Sequence, residues 1–225
     1  MKGKKILATF LALVLTVIPC FSVEAAELPD DNTTEIRLNQ IVLRTSDYKP
    51  DEINVVRDVA PNGTTTVTIK DKLTDEVREI ITEKPLGQNT KGTYGSPDNT
   101  FLHSVVRNRI DGPVTTTIEI VLAMYSNGSF GQIDAVKSKK IFVSSSGNTT
   151  LEDKSITYLV PNNKFPAIEL EYYGSGVITG SATVSDGHQF DIKFLESAGF
   201  SVNHSSQSEW YYRKYVSMGG TYSVY

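Results

Sequence analysis

The sequence predicts an all-β fold, an antiparallel β-sandwich that follows a cleaved signal peptide. Apolar residues recur at every second position from about residue 35 onward, and Val, Ile, Thr and Tyr dominate these runs. Breaks that contain Gly, Asn, Asp or Pro separate the runs. The chain of 225 residues is 39% apolar and 21% charged, which suffices for a buried core without metals or disulfides.

The first 25 residues are typical of an export signal. Three early lysines precede an apolar run that ends near Phe21, and small residues then predict cleavage before Ala26. The run is short for a membrane span, so we expect a secreted, extracellular protein. The single cysteine, Cys20, lies in this segment, and the mature chain would have no thiol or disulfide. Lipidation of Cys20 is the alternative, which the rigid Pro19 before it disfavours.

The charge balance argues against two classes of partner. Residues 1–25 contain three Lys and one Glu, so the remaining chain has 19 basic and 25 acidic side chains and a net charge of −6. It also has no block of clustered Lys or Arg. Because phosphate backbones and anionic lipids attract positive patches, we expect neither as a partner, and no nucleic acid in particular.

Single strands and their turns can be assigned in order. The longest alternating run predicts a strand with these residues on one face: Val114, Thr116, Ile118, Ile120, Leu122 and Met124. Asp111-Gly112-Pro113 separates it from the strand before, and Asn127-Gly128 predicts a hairpin turn after it, where positive φ is needed. Asp186-Gly187 predicts another hairpin, followed by a strand over Gln189–Glu196.

Two stretches admit more than one interpretation. The apolar residues on either side of Asn39-Gln40 fall on opposite faces, and a β-bulge there would bring them to one face. Residues 73–84 fit either a helical stripe or a hairpin arm that pairs with Thr64–Lys70. We favour the hairpin arm.

The stretch from residue 85 to residue 100 divides the predicted strands. It is rich in Gly, Asn, Thr and Pro and has almost no apolar residues, so it is a linker or one long loop. We predict a flexible N-terminus over 26–34, a small N-terminal β-unit over 35–84 and a larger β-sandwich domain over 101–225. One sandwich of about 200 residues is the alternative.

The strongest candidate for a binding site is the aromatic C-terminal region. Alternation along a strand would place Trp210, Tyr212, Val216 and Met218 on one face, and Glu209, Tyr211, Arg213 and Tyr215 on the other. Rings flanked by charge can stack on sugars or anchor a protein partner. We assign Trp210, Tyr211, Arg213 and Tyr215 as the candidate binding residues. The alternative is an ordinary strand with tyrosines on its solvent side.

The residue patterns give little support to catalysis. Glu169 and Glu171 alternate outward roughly 6.5–7 Å apart, a spacing that suits glycoside hydrolysis, but nothing nearby would desolvate either carboxyl. The spacing of His103, His188 and His204 does not predict a zinc site, and we expect His103 on the solvent side of its strand. Nucleophile and dinucleotide signatures are missing from the sequence. We expect no enzyme activity, no cofactor and no metal.

These observations favour a secreted, non-catalytic β-sandwich protein that binds a protein or a glycan at the bacterial exterior. The Ser/Thr-rich alternating strands favour one alternative, a secreted toxin or antimicrobial protein whose amphipathic hairpins perturb membranes. Membrane contact is expected only under that alternative. A glycan-acting hydrolase that uses Glu169 or Glu171 is the third interpretation.

Overall fold

A computed structural model describes residues 33–86, 100–127, 130–145, 148–183, 192–206 and 209–224. Within these ranges the chain forms twelve strands, one short helix and a 3₁₀ turn at Pro161–Asn163. In chain order the elements are β1 (Thr34–Arg37), β2 (Ile41–Thr45), β3 (Ile53–Val59), β4 (Thr65–Asp71), β5 (Val77–Leu86), β6 (Thr100–Asp111), β7 (Val114–Asn127), β8 (Phe130–Ser145), β9 (Asn148–Leu159), β10 (Glu169–Thr183), α1 (Ile192–Ser197), β11 (Ser201–Ser206) and β12 (Glu209–Val224). The predicted all-β fold is confirmed.

The strands form two antiparallel sheets of six strands each. Sheet A has the order β1-β2-β12-β10-β9, and β11 pairs with the same edge of β12 as β2 does. Sheet B has the order β3-β4-β5-β6-β7-β8, so its consecutive strands are neighbours. Strands β5 and β6 pair across the stretch 87–99. Strands before and after this stretch therefore share one sheet, which is the arrangement of the single-sandwich alternative.

The two sheets pack face to face around apolar side chains. The larger cluster joins Leu43 and Leu170 of sheet A to Ile69 and Ile118 of sheet B. The six residues that alternation assigned to one face of β7 are all buried: Val114, Thr116, Ile118, Ile120, Leu122 and Met124. That prediction is confirmed, and it fixes which face of sheet B meets sheet A.

The first hairpin differs from the prediction. β1 and β2 pair Ile36 with Leu43, and a tight turn closes between them with a hydrogen bond from the Leu38 amide to the Ile41 carbonyl at 2.9 Å. Because the turn reverses the chain, apolar residues of both arms reach the core without an inserted residue. The predicted β-bulge at Asn39-Gln40 is therefore wrong. The four apolar side chains on either side of the turn are nevertheless buried, as predicted: Ile36, Leu38, Ile41 and Leu43.

Three other hairpins lie where the sequence predicts them. β5 pairs with β4 as an extended arm, which confirms the hairpin and excludes the helix over residues 73–84. β6 and β7 join at Asp111-Gly112-Pro113, where the glycine has a φ of +60°. β7 and β8 pair Asn127 with Phe130, whereas the expected turn residue Gly128 lies outside the described residues.

The prediction for the segment after β10 is wrong. Ile192–Ser197 is helix α1, not part of a strand over Gln189–Glu196, and Leu195 is buried in the smaller apolar cluster while Phe194 stays exposed. A helix of six residues is too short to produce a helical period in the sequence. The expected turn at Asp186-Gly187 lies outside the described residues. No helix in the described ranges is long and apolar enough to cross a bilayer.

Strand β6 turns its charged side chains toward the core. His103 is 3% exposed and Arg107 is fully buried, whereas the apolar Leu102 is exposed. The expected position of His103 on the solvent side is therefore wrong. The physical reason is contact with β5, whose buried Glu79 pairs with Arg107 and whose buried Glu83 is hydrogen-bonded to His103 on the same face. The His103 ring nitrogen Nδ1 lies 2.7 Å from a Glu83 carboxylate oxygen.

The buried guanidinium of Arg107 has a complete set of acceptors. It pairs with the carboxylate of Glu79 through Nε and Nη2, and with Asp47 through Nη2 at 2.9 Å. Its Nη1 donates to the Tyr172 hydroxyl at 2.7 Å and to the Gly219 carbonyl at 2.8 Å. Because a buried charge is costly unless it is paired and hydrogen-bonded, this arrangement stabilises contact between the sheets.

One edge of strand β12 lacks a described neighbouring strand over part of its length, and side chains from sheet B bind its backbone there. Between its pairing with β11 and its pairing with β2, no described strand lies on that edge. Arg107 and Arg109 of β6 donate there to the carbonyls of Gly219 and Ser217, at 2.8 and 2.6 Å. Lys214 bonds to Asp111 at 2.6 Å, near the end of β6. Three alternate residues of β6 thus bind β12 from the core side: Arg107, Arg109 and Asp111.

Candidate functional site

Strand β12 presents three of the four predicted binding residues on the solvent face of sheet A. Tyr211, Arg213 and Tyr215 are exposed, Tyr215 to 61%. The alternate residues Tyr212, Val216 and Met218 are buried in the core. The side chains of β12 therefore alternate between the solvent face and the core, as the sequence predicts.

Trp210 is set apart from the other three. It lies on the opposite side of β12 from Tyr211, in step with Tyr212, and is half-buried near the end of the strand. Its ring packs edge-on against the ring of His204 in β11, with 4.4 Å between the ring centroids. The structure therefore does not bring Trp210 together with Tyr211, Arg213 and Tyr215 on one surface.

The neighbouring strand adds a tyrosine that the sequence analysis missed. Tyr173 of β10 is 48% exposed and its hydroxyl lies 3.1 Å from that of Tyr215. Its spacing could have revealed it. Tyr173 lies two residues after Glu171, and alternation places Glu169 and Glu171 on the outward side of the strand. We call Tyr173, Tyr211, Arg213 and Tyr215 together the tyrosine face.

The contact between Tyr173 and Tyr215 defines how their rings lie. Tyr173 is opposite Gly219 and Tyr215 is opposite Val177, so the two are four residues apart along the strands, about 13 Å. A tyrosyl side chain is about as long as two strand residues, so the hydroxyls meet only if both side chains lie along the sheet toward each other. Both rings remain exposed in this position.

A glycine makes room for this arrangement. A Cβ atom at Gly219 would lie 3.3 Å from a ring carbon of Tyr173 and 3.2 Å from the backbone oxygen of Tyr172. Both distances are tighter than usual packing, so a side chain here would push the Tyr173 ring off the sheet. The bare backbone at Gly219 therefore lets the ring lie low.

Hydrogen bonds orient the two hydroxyls. The bond between them raises the pKa of Tyr173 and lowers the pKa of Tyr215. A hydrogen bond with Ser175 lowers the pKa of Tyr215 further, and one with Ser217 opposes the rise at Tyr173. These contacts join Tyr173 to Tyr215 and each of them to a neighbouring serine.

An open groove of about 410 Å³ lies beside Tyr211 and Arg213. Most of its other lining residues have hydroxyl or amide side chains: Asn148, Thr150, Thr179, Ser181 and Asn203. Glu152 also lines the groove. Within the described part of the chain, neither Arg213 nor Glu152 forms an ion pair. The groove can therefore offer many hydrogen bonds and one charge of each sign.

Comparisons with protein-family models, with curated proteins and with solved structures find no match for this chain.

The two carboxylates considered for hydrolysis lie in a different environment from a catalytic pair. Glu169 bonds to Arg44 Nη2 at 2.5 Å and to the Ser223 hydroxyl at 3.1 Å, and it is partly exposed. Glu171 is exposed. A general acid needs a carboxyl that burial keeps protonated, and an exposed, arginine-paired group lacks that condition. Among the described residues, no three His, Cys, Asp or Glu side chains are grouped to hold a metal ion.

Proposed function

We propose that this chain is a secreted, non-catalytic binding protein that holds a protein or a glycan at the bacterial exterior. Binding occurs on the tyrosine face. The observation that supports this most is the exposure of Tyr173, Tyr211 and Tyr215 on two paired strands in the middle of sheet A.

The tyrosine face combines the properties of an effective contact surface. Tyrosine offers a large amphipathic ring and loses little conformational entropy when it binds, because it has only two rotatable side-chain bonds. The hydrogen bond between Tyr173 and Tyr215 removes part of that entropy beforehand. Strand β12 is paired with β10 along its length and with β11 beside Tyr211, so neighbouring strands support the backbone under the rings.

The sequence supports the location and the non-catalytic role. Residues 1–25 have the pattern of an export signal, and the net charge of −6 that remains is unsuited to nucleic acid. The charged side chains with the strongest pairing, Arg107 and Glu79, are enclosed in the core, where no substrate could reach them. Surface contact is then the function that the exposed chemistry supports best.

A sedimentation assay tests the proposal. The purified chain is mixed with cell-envelope fragments of the producing bacterium, and the bound fraction is measured across a concentration series. The variant with both Tyr211→Ala and Tyr215→Ala should lose most of its binding. A matched control with Phe130→Ala and Phe142→Ala removes two exposed rings from sheet B and should bind as the unaltered chain does. Equal binding by all three proteins would overturn the proposal.

A further inference from the structure

We infer that the tyrosine face binds a neutral oligosaccharide chain that lies along β12. This inference rests on the proposed function and narrows its ligand to one class. It follows from three features of the face: the exposed aromatic rings, the lining by uncharged hydrogen-bonding groups, and the distance over which these continue.

The ring faces suit sugars. A pyranose ring has a face made of C–H groups, and such a face packs against the flat side of an aromatic ring. Tyr173 and Tyr215 are exposed and lie along the sheet, so their rings are accessible to a sugar.

The groups around the rings are mainly hydroxyls. The solvent face of β9, β10 and β12 near the tyrosines carries Ser155, Thr157, Ser175, Thr179, Ser181 and Ser217. Serine is depleted in the cores of protein–protein interfaces, which favour apolar and aromatic residues. Hydroxyl and amide groups can instead exchange hydrogen bonds with sugar hydroxyls, which both donate and accept. The surroundings of the tyrosine face thus favour a glycan over a protein.

The charge of the face favours a neutral glycan. In and beside the groove, Arg213 is balanced by Glu152. A polyanionic chain needs several cations in a row, and the outward positions of β12 from Tyr211 to Ser217 offer only Arg213. Arg213 can donate to sugar hydroxyls without any anion being present.

The length of the face selects a chain over a single sugar. From Tyr211 to the level of Tyr173, which lies opposite Gly219, β12 extends over eight residues, about 26 Å. A monosaccharide is too short to contact Tyr211 and Tyr173 together on such a surface. Affinity should therefore increase with the number of sugar units until both Tyr211 and the Tyr173–Tyr215 pair are covered.

Binding to defined polysaccharides tests the inference. The purified chain is titrated with neutral oligosaccharides of increasing length from β-glucan, chitin, mannan and starch, and with the polyanions heparin and pectate. We expect at least one neutral series to bind, with affinity increasing about tenfold or more from disaccharide to hexasaccharide. Binding should change less than about twofold between low and high salt, because screening acts only on charges.

Variants separate ring stacking from other effects. Tyr211→Ala and Tyr215→Ala should each lower affinity about tenfold, whereas Tyr211→Phe, which keeps the ring, should stay within about threefold of the unaltered chain. Phe142→Ala on sheet B is the matched control. Far-ultraviolet dichroism of every variant confirms that the strands are intact.

The outcomes distinguish this inference from the proposed function. If no neutral glycan binds, while envelope binding still depends on Tyr211 and Tyr215 and is removed by protease but not by periodate, the partner is a protein and the inference is overturned. Salt-sensitive binding to polyanions only would also overturn it. Binding that ignores the tyrosine variants on every material would overturn the proposed function as well, as would an absence of binding to any material.

Discussion

Arg107 in sheet B donates a hydrogen bond to the carbonyl oxygen of Gly219 in sheet A, at 2.8 Å. The donor is a fully buried guanidinium that also pairs with Glu79 and Asp47. The acceptor is the residue over which the Tyr173 ring lies. The ionic core of the sandwich and the floor of the tyrosine face are therefore joined at one peptide unit.

Arg107→Leu should destabilise the fold strongly. It leaves the buried Glu79 carboxylate without its cation, and removal of one partner of a buried pair costs about 3–5 kcal/mol of unfolding free energy. Urea unfolding measures the loss. Arg37→Ala is the control, because the pair of Arg37 with Glu35 is exposed and contributes about 1 kcal/mol or less. A cost for Arg107→Leu as small as that of the control would show that the buried pairing is unimportant.

The acid limb of stability should depend on Asp47. Burial alone would raise the pKa of Asp47, but the guanidinium groups of Arg109 and Arg107 outweigh it and hold the pKa below its usual value. A carboxyl with a lowered pKa stabilises the fold fully above its usual pKa, and this stabilisation is lost as the pH falls through the folded-state pKa. Unfolding free energy should thus decrease below about pH 4.

Asp47→Asn supplies the matched comparison for this pH effect. The variant should be less stable than the unaltered chain at neutral pH, because Arg107 and Arg109 lose a carboxylate partner. The difference should shrink as the pH falls, since protonation removes the same charge from Asp47. A difference that stays constant from pH 7 to acid would contradict the role assigned to this carboxylate.

The sequence predicts a strand correctly where the alternating pattern and the flanking turns both indicate the same structure. Strand β7 alternates over its whole length, and glycine-containing breaks mark both of its ends, so both its face and its hairpins were assigned correctly. Strand β6 was assigned the wrong face because its two alternating sets both contain aliphatic residues, such as Leu102 and Val105. What buries the charged set is the pairing of Arg107 with Glu79, and that pairing is visible only once β5 and β6 are in register.

The candidate site was predictable in part for the same reason. Alternation along one strand is a local property, so Tyr211, Arg213 and Tyr215 could be placed on one face. The contribution of Tyr173 depends on the register between β10 and β12, which places it opposite Gly219. Nothing in a single strand encodes that register.

Tyr173→Phe should raise the pKa of Tyr215. In the unaltered chain the hydrogen bond with Tyr173 lowers that pKa, so removing the Tyr173 hydroxyl takes away the main cause. The ¹³Cζ resonance of Tyr215 followed through an alkaline titration measures the change. Tyr125→Phe, on sheet B, is the control and should leave the titration unaltered. An unchanged pKa in Tyr173→Phe would contradict the hydrogen-bonded pair.

Gly180→Ala should disturb the floor of the groove. A Cβ atom at this position would overlap the ring of Tyr212, which is buried and cannot move aside. Overpacking of this kind costs about 1–3 kcal/mol of unfolding free energy. Thermal or urea unfolding measures it, with Thr179→Ala, one residue away on the solvent face, expected within about 0.5 kcal/mol of the unaltered chain. A stable Gly180→Ala variant would show that the ring is free to shift.

Hydroxyl-radical footprinting on cell-envelope material tests most directly whether the tyrosine face is the binding surface. The reactivity of individual side chains is compared between the free chain and the bound chain by mass spectrometry. We expect Tyr173, Tyr211 and Tyr215 to become protected on binding, while the exposed rings of Phe130 and Phe142 on sheet B keep their reactivity. Protection of the two phenylalanines with the tyrosines left reactive would contradict this expectation.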